Sequence, residues 1–176
     1  MSSEQTTEPA DERPTRPAIV GIVGRPGSGK TTLIERLMPE LVARGLRVAT
    51  VKRTASFDID TPGKDSWRHS RAGADAYAVA SASQFAFVES LGSRPEPKLL
   101  DIVARFFAGF DLVLCEGYRL EAPETIEVFR RAAGHERPVC APGEALALVT
   151  DASIEHERRF NLDDIGELAR FMTARL

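Results

Sequence analysis

The residues whose order most directly implies chemistry are Gly24-Arg25-Pro26-Gly27-Ser28-Gly29-Lys30-Thr31-Thr32, preceded by the apolar run Ala-Ile-Val-Gly-Ile-Val at 18–23. They fit G-x-x-x-x-G-K-[ST], the phosphate-binding loop. Its glycines let the backbone curl so that N–H groups face a phosphate, and a helix beginning at Thr31 adds the positive end of its dipole. In such a loop Lys30 reaches the β- and γ-phosphates and the Thr31 hydroxyl ligates Mg²⁺. With Gly at roughly 7% of residues, a chance match in a chain of this length has a probability of about 1%. The pattern therefore predicts a bound nucleoside triphosphate.

The surrounding elements must hold that loop in place. A β-branched strand over 18–23 leads into it, and a helix follows with Leu33, Ile34, Leu37, Met38, Leu41 and Val42 as its apolar stripe. Pro39 removes one backbone donor and predicts a kink or restart, and Gly45 is placed to end the helix as its C′ residue. A second strand over 46–51 brings Lys52 and Arg53 to its carboxyl end. Pro62-Gly63 predicts a turn, followed by a short helix over 65–72 and two strands over 76–80 and 84–88. A helix opened by Pro95 and Pro97 ends at Gly109. A buried strand over 112–115 delivers Glu116 and Gly117, and later strands cover 126–129 and 145–150. Asn161 is expected to cap a C-terminal helix with Ile165, Leu168, Ala169 and Met172 on its inner face. The alternation predicts an α/β fold of the phosphate-loop NTPase type, a mostly parallel doubly wound sheet with helices on both faces. Ligands should then lie beyond the carboxyl ends of the strands.

That rule sorts the acidic residues. Asp111 and Glu116 flank one strand, about 17 Å apart along an extended chain, so only the later can stand at the active edge. Glu116 is the candidate to hold the metal through its water shell or to orient attacking water, and Asp111 is a turn residue at the opposite edge. Asp58 and Asp60 follow the second strand, expected beside the first. Asp60, next to the Pro62-Gly63 turn, is the favoured second carboxylate near the metal, although a solvated loop acid would read the same way. Lys64, Arg68 and Arg71 share a helical face that suits a phosphate-bearing ligand, a partner or plain solvent. Asp151 stands at a strand's carboxyl end, where a carboxylate could accept from guanine N1–H and N2–H or simply initiate a turn.

Composition bounds the rest. The 176 residues suffice for one domain plus a tail, and the polar stretch 1–16 is expected to be a disordered tail before a nucleotide-binding domain over 17–176. A net charge of −3 argues against nucleic acid held by a broad basic surface. The expectation is a cytoplasmic protein: no apolar run approaches a membrane span, the first residues lack a signal peptide's apolar segment, and Cys115 and Cys140 make neither a disulfide framework nor a C-x-x-C metal site.

Several segments together resemble one family. They are the loop over 24–32, Phe57-Asp58-Ile59-Asp60-Thr61-Pro62-Gly63-Lys64-Asp65-Ser66, Arg71-Ala72-Gly73-Ala74, and Asp111-Leu112-Val113-Leu114-Cys115-Glu116-Gly117-Tyr118. With Ile126-Glu127-Val128-Phe129-Arg130 and Val149-Thr150-Asp151, they look like the molybdopterin-guanine dinucleotide biosynthesis adapter family, MobB, over residues 18–174. The resemblance implies a homodimer that binds GTP with Mg²⁺ and hydrolyses it feebly. It also implies as partners the molybdenum cofactor guanylyltransferase, which joins GMP to molybdopterin, and molybdopterin or the molybdenum cofactor itself. Two positions depart from the family's pattern. Lys52-Arg53-Thr54-Ala55-Ser56 stands where Lys-His-x-x-His is usual, so Arg53 supplies a permanent charge in place of an imidazole or that role is missing. Thr125 stands where a Lys precedes Ile-Glu-Val. The alternatives are a small-molecule kinase, with Arg119, Arg130 and Arg131 available to a lid, and a nickel or cobalt metallochaperone, for which the chain lacks Cys or His clusters.

Overall fold

In the computed structural model, which describes residues 16–176, the run before the loop forms β1 (Ala18–Val23) and the loop opens directly into α1 (Lys30–Val42). The expected tail over 1–16 lies, apart from Arg16, outside the described residues. Two compact units divide the chain: one runs to Arg53 and resumes at Lys98, and the other is Thr54–Pro97.

The first unit continues with β2 (Val48–Lys52), and after the second unit its strands resume as β5 (Leu112–Glu116), β6 (Glu124–Phe129), β7 (Ala147–Thr150) and β8 (Arg159–Phe160). They form one sheet in the order β2-β5-β1-β6-β7-β8, with every neighbouring pair parallel. The expected adjacency of the first two strands is corrected here, because β5 lies between them. Strand alternation fills both faces. Val20 and Ile22 of β1, with Leu112 and Leu114 of β5, face Leu33, Leu37 and Leu41 of α1 and Leu168 and Met172 of α4 (Ile165–Thr173). Val113 and Cys115 point the other way, against Leu99 and Val103 of α3 (Leu99–Phe106). The sheet is therefore covered on both sides, as the apolar runs require. Each buried leucine of α1 contributes about 1.5–3 kcal/mol relative to leaving it in water.

Three local expectations resolve differently or in more detail. α1 runs unbroken through Pro39 to Val42, so no restart occurs. It closes as expected at Gly45, at φ +82, whose N–H donates to Val42 O (2.9 Å) while Leu46 N–H reaches Leu41 O (3.3 Å). At the C-terminus Asp164, not Asn161, is the N-cap of α4. Asn161 turns its backbone N–H and Nδ2 onto Asp164 Oδ2 (2.7 and 2.8 Å), so the expected cap instead donates to the residue that precedes the helix.

The second unit consists of α2 (Asp65–Arg71) and an antiparallel hairpin of β3 (Ala76–Ala80) and β4 (Phe85–Glu89). None of the chain's buried apolar residues falls within it.

Candidate functional site

β1 ends at Val23 beside the carboxyl ends of its neighbours, and the loop folds over that edge. Gly24, Gly27 and Gly29 adopt φ of +143, +76 and +98. Gly24 is required twice over: its backbone lies in a region that side chains avoid, and a Cβ there would strike Val128 O and come within 2.7 Å of Ser28 Oγ. Ser28 is buried, and its hydroxyl has no hydrogen-bond partner among the described residues. A buried unsatisfied hydroxyl costs free energy that an anion in the loop would offset. Lys30 folds its ammonium back onto Gly24 O (3.1 Å) and Arg25 O (3.2 Å), at the mouth of the loop.

Sheet register supplies the acid. Ile22 and Lys52 both pair with Glu116 across β5, so Glu116 emerges between the loop and the end of β2. Thr31 Oγ1 donates to Glu116 Oε2 (3.2 Å), and Lys52 Nζ lies 3.6 Å from the same oxygen. Thr31 and Glu116 thus come together from residues 85 apart in sequence. Asp111 is at the opposite edge, where it accepts from Arg47 N–H (2.7 Å). The chain must turn sharply after Glu116: Gly117 has φ +91, and a Cβ there would lie 2.9 Å from Arg53 Cβ.

Arg53 is a committed cation. Its guanidinium meets Glu121 Oε1 (3.3 Å), and Glu121 Oε2 accepts from Leu99 N–H (2.9 Å) at the start of α3. Asp151 holds Arg131 N–H (2.9 Å) with one oxygen, tying the segment after β6 to the end of β7. Asp60, in the second unit, accepts from Thr61 N–H (2.8 Å) through Oδ1, while Oδ2 is buried with no hydrogen-bond partner among the described residues. Pro26 O is met by the His135 ring (3.3 Å), a contact that no sequence spacing announces because the two residues are 109 apart. Ser28, Gly29 and Thr32 also line a cavity of about 260 Å³ with Arg36, Arg130 and Asp163.

The thiols take no part. Burial pushes Cys115 up to about 12, and burial with the neighbouring Glu127 carboxylate pushes Cys140 up to about 11, so both stay protonated at neutral pH. Among the described residues no group of three or more His, Cys, Asp and Glu could hold a metal, and no helix is long and apolar enough to cross a membrane.

Comparison with known proteins covers most of the chain. Residues 19–151 match the family described as "Molybdopterin guanine dinucleotide synthesis protein B". A molybdopterin-guanine dinucleotide biosynthesis adapter protein of Haemophilus influenzae is 35% identical, over 88% of this chain and 86% of that one. Its counterpart in Escherichia coli K12 is 34% identical, over 83% and 86%. A crystal structure of molybdopterin-guanine biosynthesis protein B superposes with a TM-score of 0.70 at 34% identity, over 90% of this chain and 99% of that one. The loop, the strand order and the acid at the end of β5 thus sit within a match that spans most of both partners, and the chain belongs to the molybdopterin guanine dinucleotide synthesis protein B (MobB) family.

Proposed function

We propose that this chain is a GTP- and Mg²⁺-binding adapter in the cytoplasm, working as a homodimer beside the guanylyltransferase that attaches GMP to molybdopterin. Family membership carries the pathway, and one observation carries the nucleotide: Thr31 and Glu116 meet at 3.2 Å directly below a loop with the backbone and the lysine that phosphates require. Two hard oxygen donors at that spacing fit Mg²⁺, which takes one or two protein oxygens and completes its shell with water and phosphate. Thr31 would ligate it directly and Glu116 through water, and Asp60 is kept as the second carboxylate on the sequence pattern alone. When bound, the metal neutralises charge on the β- and γ-phosphate oxygens.

The chain's own residues do the remaining work. Gly24, Arg25, Pro26, Gly27, Ser28 and Gly29 present backbone groups to the phosphates, and Lys30 moves from the loop carbonyls onto them. Thr32 opens onto the cavity in which the nucleoside lies. Asp151 keeps one oxygen for the guanine edge while the other holds Arg131 N–H. Glu116 orients water for a hydrolysis that is slow and secondary to holding GTP. The kinase alternative gains no support, since Arg119, a lid candidate, is engaged by Glu144 at 2.8 Å.

Calorimetric titration of the full chain in Mg²⁺ tests the reading. GTP is expected to bind at least about tenfold more tightly than ATP, the margin a polar edge contact supplies. Lys30→Ala should abolish binding without altering the circular dichroism, because its ammonium contacts only two carbonyls of the loop itself. A tenfold preference for ATP would overturn the guanine assignment.

A further inference from the structure

Strand alternation carries one cation to the phosphate loop. Ile126 and Val128 of β6 point to the α1 face of the sheet. Phe129 packs on the other face with Leu148, and Glu127 turns there to accept from Val139 N–H and Cys140 N–H. Arg130 follows with extended backbone, at φ −124 and ψ 132, so the alternation continues one step past the strand and its side chain returns to the α1 face. The stem lies against the loop: a Cβ on Gly29 would stand 3.5 Å from Arg130 Cδ, an ordinary contact. Arg130 also lines the cavity that Gly29 and Thr32 border.

No acid among the described residues answers that charge. Arg36, the other arginine of the cavity, is committed: Nη2 lies 2.9 Å from Asp163 Oδ1, and Nη1 donates to Leu162 O (2.9 Å). The Arg130 guanidinium is exposed and makes no hydrogen bond or ion pair among the described residues. Its surroundings are already positive. α1 begins at Lys30, has no acidic residue in its first turn, and presents there the unpaired N–H groups and the positive end of a helix dipole. A cation beside a helix start is unfavourable, and no carboxylate offsets it here. Anionic oxygens lying between Arg130 and the first turn of α1 would satisfy the guanidinium and the N–H groups together.

Sheet order says which oxygens these are. The loop leaves β1 between β5 and β6. On the β5 side stand Glu116 and the Thr31 hydroxyl, where the metal is proposed. Arg130 rises on the β6 side, on the same cavity as Thr32. A triphosphate laid across the loop with its metal-bound end toward Glu116 brings its nucleoside-proximal end to Arg130. We infer that Arg130 is a further nucleotide-binding residue, gripping the phosphates nearest the nucleoside on the side of the loop away from the metal. The assignment rests on the reading that a nucleoside triphosphate occupies the loop, and it is independent of the base. Such a grip is made alike on a diphosphate and a triphosphate, so it tightens binding without changing the rate at which the terminal phosphate leaves. A lid arginine would do the reverse, acting on the departing phosphoryl group.

The test titrates the full chain in Mg²⁺ with GDP and with non-hydrolysable analogues of GTP and ATP, by calorimetry. Arg130→Met keeps the stem against Gly29 and removes the charge. All three ligands should bind it more weakly than wild type by one common factor of at least about tenfold, as loss of a charge-assisted contact does. Added KCl should weaken wild-type binding more steeply than that of the variant, because the variant has one charge contact fewer to screen. Single-turnover phosphate release from variant saturated with GTP should stay within about twofold of wild type. Unchanged affinity, or a loss with the salt dependence of wild type, which a packing defect would give, would overturn the inference. So would a loss confined to the triphosphates with slower release, which would put Arg130 on the terminal phosphate. Wild-type chain that prefers the ATP analogue would overturn the guanine reading alone, and the common factor would still decide Arg130. Wild-type chain that binds none of the three would overturn the reading of the loop, and this assignment with it.

Discussion

At the residue scale, the two ends of β5 show how one strand separates acids of different use. Asp111 spends its side chain on Arg47 N–H, a structural contact, whereas Glu116 faces Thr31 and Lys52 at the edge where the loop closes. The ion pair with Lys52 is worth little by itself, since Lys52 is 60% exposed and such pairs contribute about 0–1 kcal/mol. Its effect is to hold Oε2 near the Thr31 hydroxyl. Glu116→Gln keeps an acceptor of the same shape and removes the charge. GTP affinity should therefore stay within about threefold, while single-turnover phosphate release should fall by about 100-fold, the scale of a lost base or water-orienting group. Unchanged release would remove Glu116 from the chemistry. Arg53, where the family usually has histidine, does not simply substitute a mobile charge, because Glu121 holds it.

At the element scale, Glu121 is the notable residue. α3 begins after Lys98 with no side-chain cap of its own, and Glu121 supplies the missing acceptor to Leu99 N–H from beyond β5. Glu121→Ala should cost about 1–2 kcal/mol in urea unfolding, with faster amide exchange concentrated in the first turn of α3. Uniform exchange across the unit would deny it a capping role. This contact was not legible in the sequence, where Glu121 is one acid among many and its partner stands 22 residues away. Glu127 was hidden for the same reason, its partners being 12 and 13 residues on. What could be read was local or periodic: the loop, the stripe of α1, the Gly45 termination, and the choice of Glu116 over Asp111, which needs only the rise of a strand. The order β2-β5-β1 could not be read, because strand adjacency depends on non-local pairing and short spacing carries no record of it. The N-cap of α4 marks a finer limit: Asn161 and Asp164 are both of types that start helices, and three positions separate them.

At the scale of the whole molecule, the unit Thr54–Pro97 poses a burial problem. A two-stranded hairpin is marginal in water without an apolar face to pack, yet Phe57, Ile59 and Phe85 are each about 70% exposed and Val79 is 48% exposed. Among the described residues the hairpin's two strands pair only with each other, and a two-stranded sheet has two edges that another strand could join. A second copy of the same chain meets the need economically, because an isologous contact covers identical apolar patches at once. The proposed homodimer therefore places this unit at its interface. Phe85→Asp puts a charge where that contact would bury a ring, and it should weaken self-association by at least about tenfold in sedimentation velocity, as truncation of an aromatic anchor does. GTP binding, which depends on the loop of the other unit, should be retained, and that separates a broken interface from a broken fold. A wild-type chain that sediments as a monomer at micromolar concentration would dispose of the homodimer. A dimer indifferent to Phe85→Asp would move the interface elsewhere, with the open edges of β2 and β8 the next surfaces to substitute.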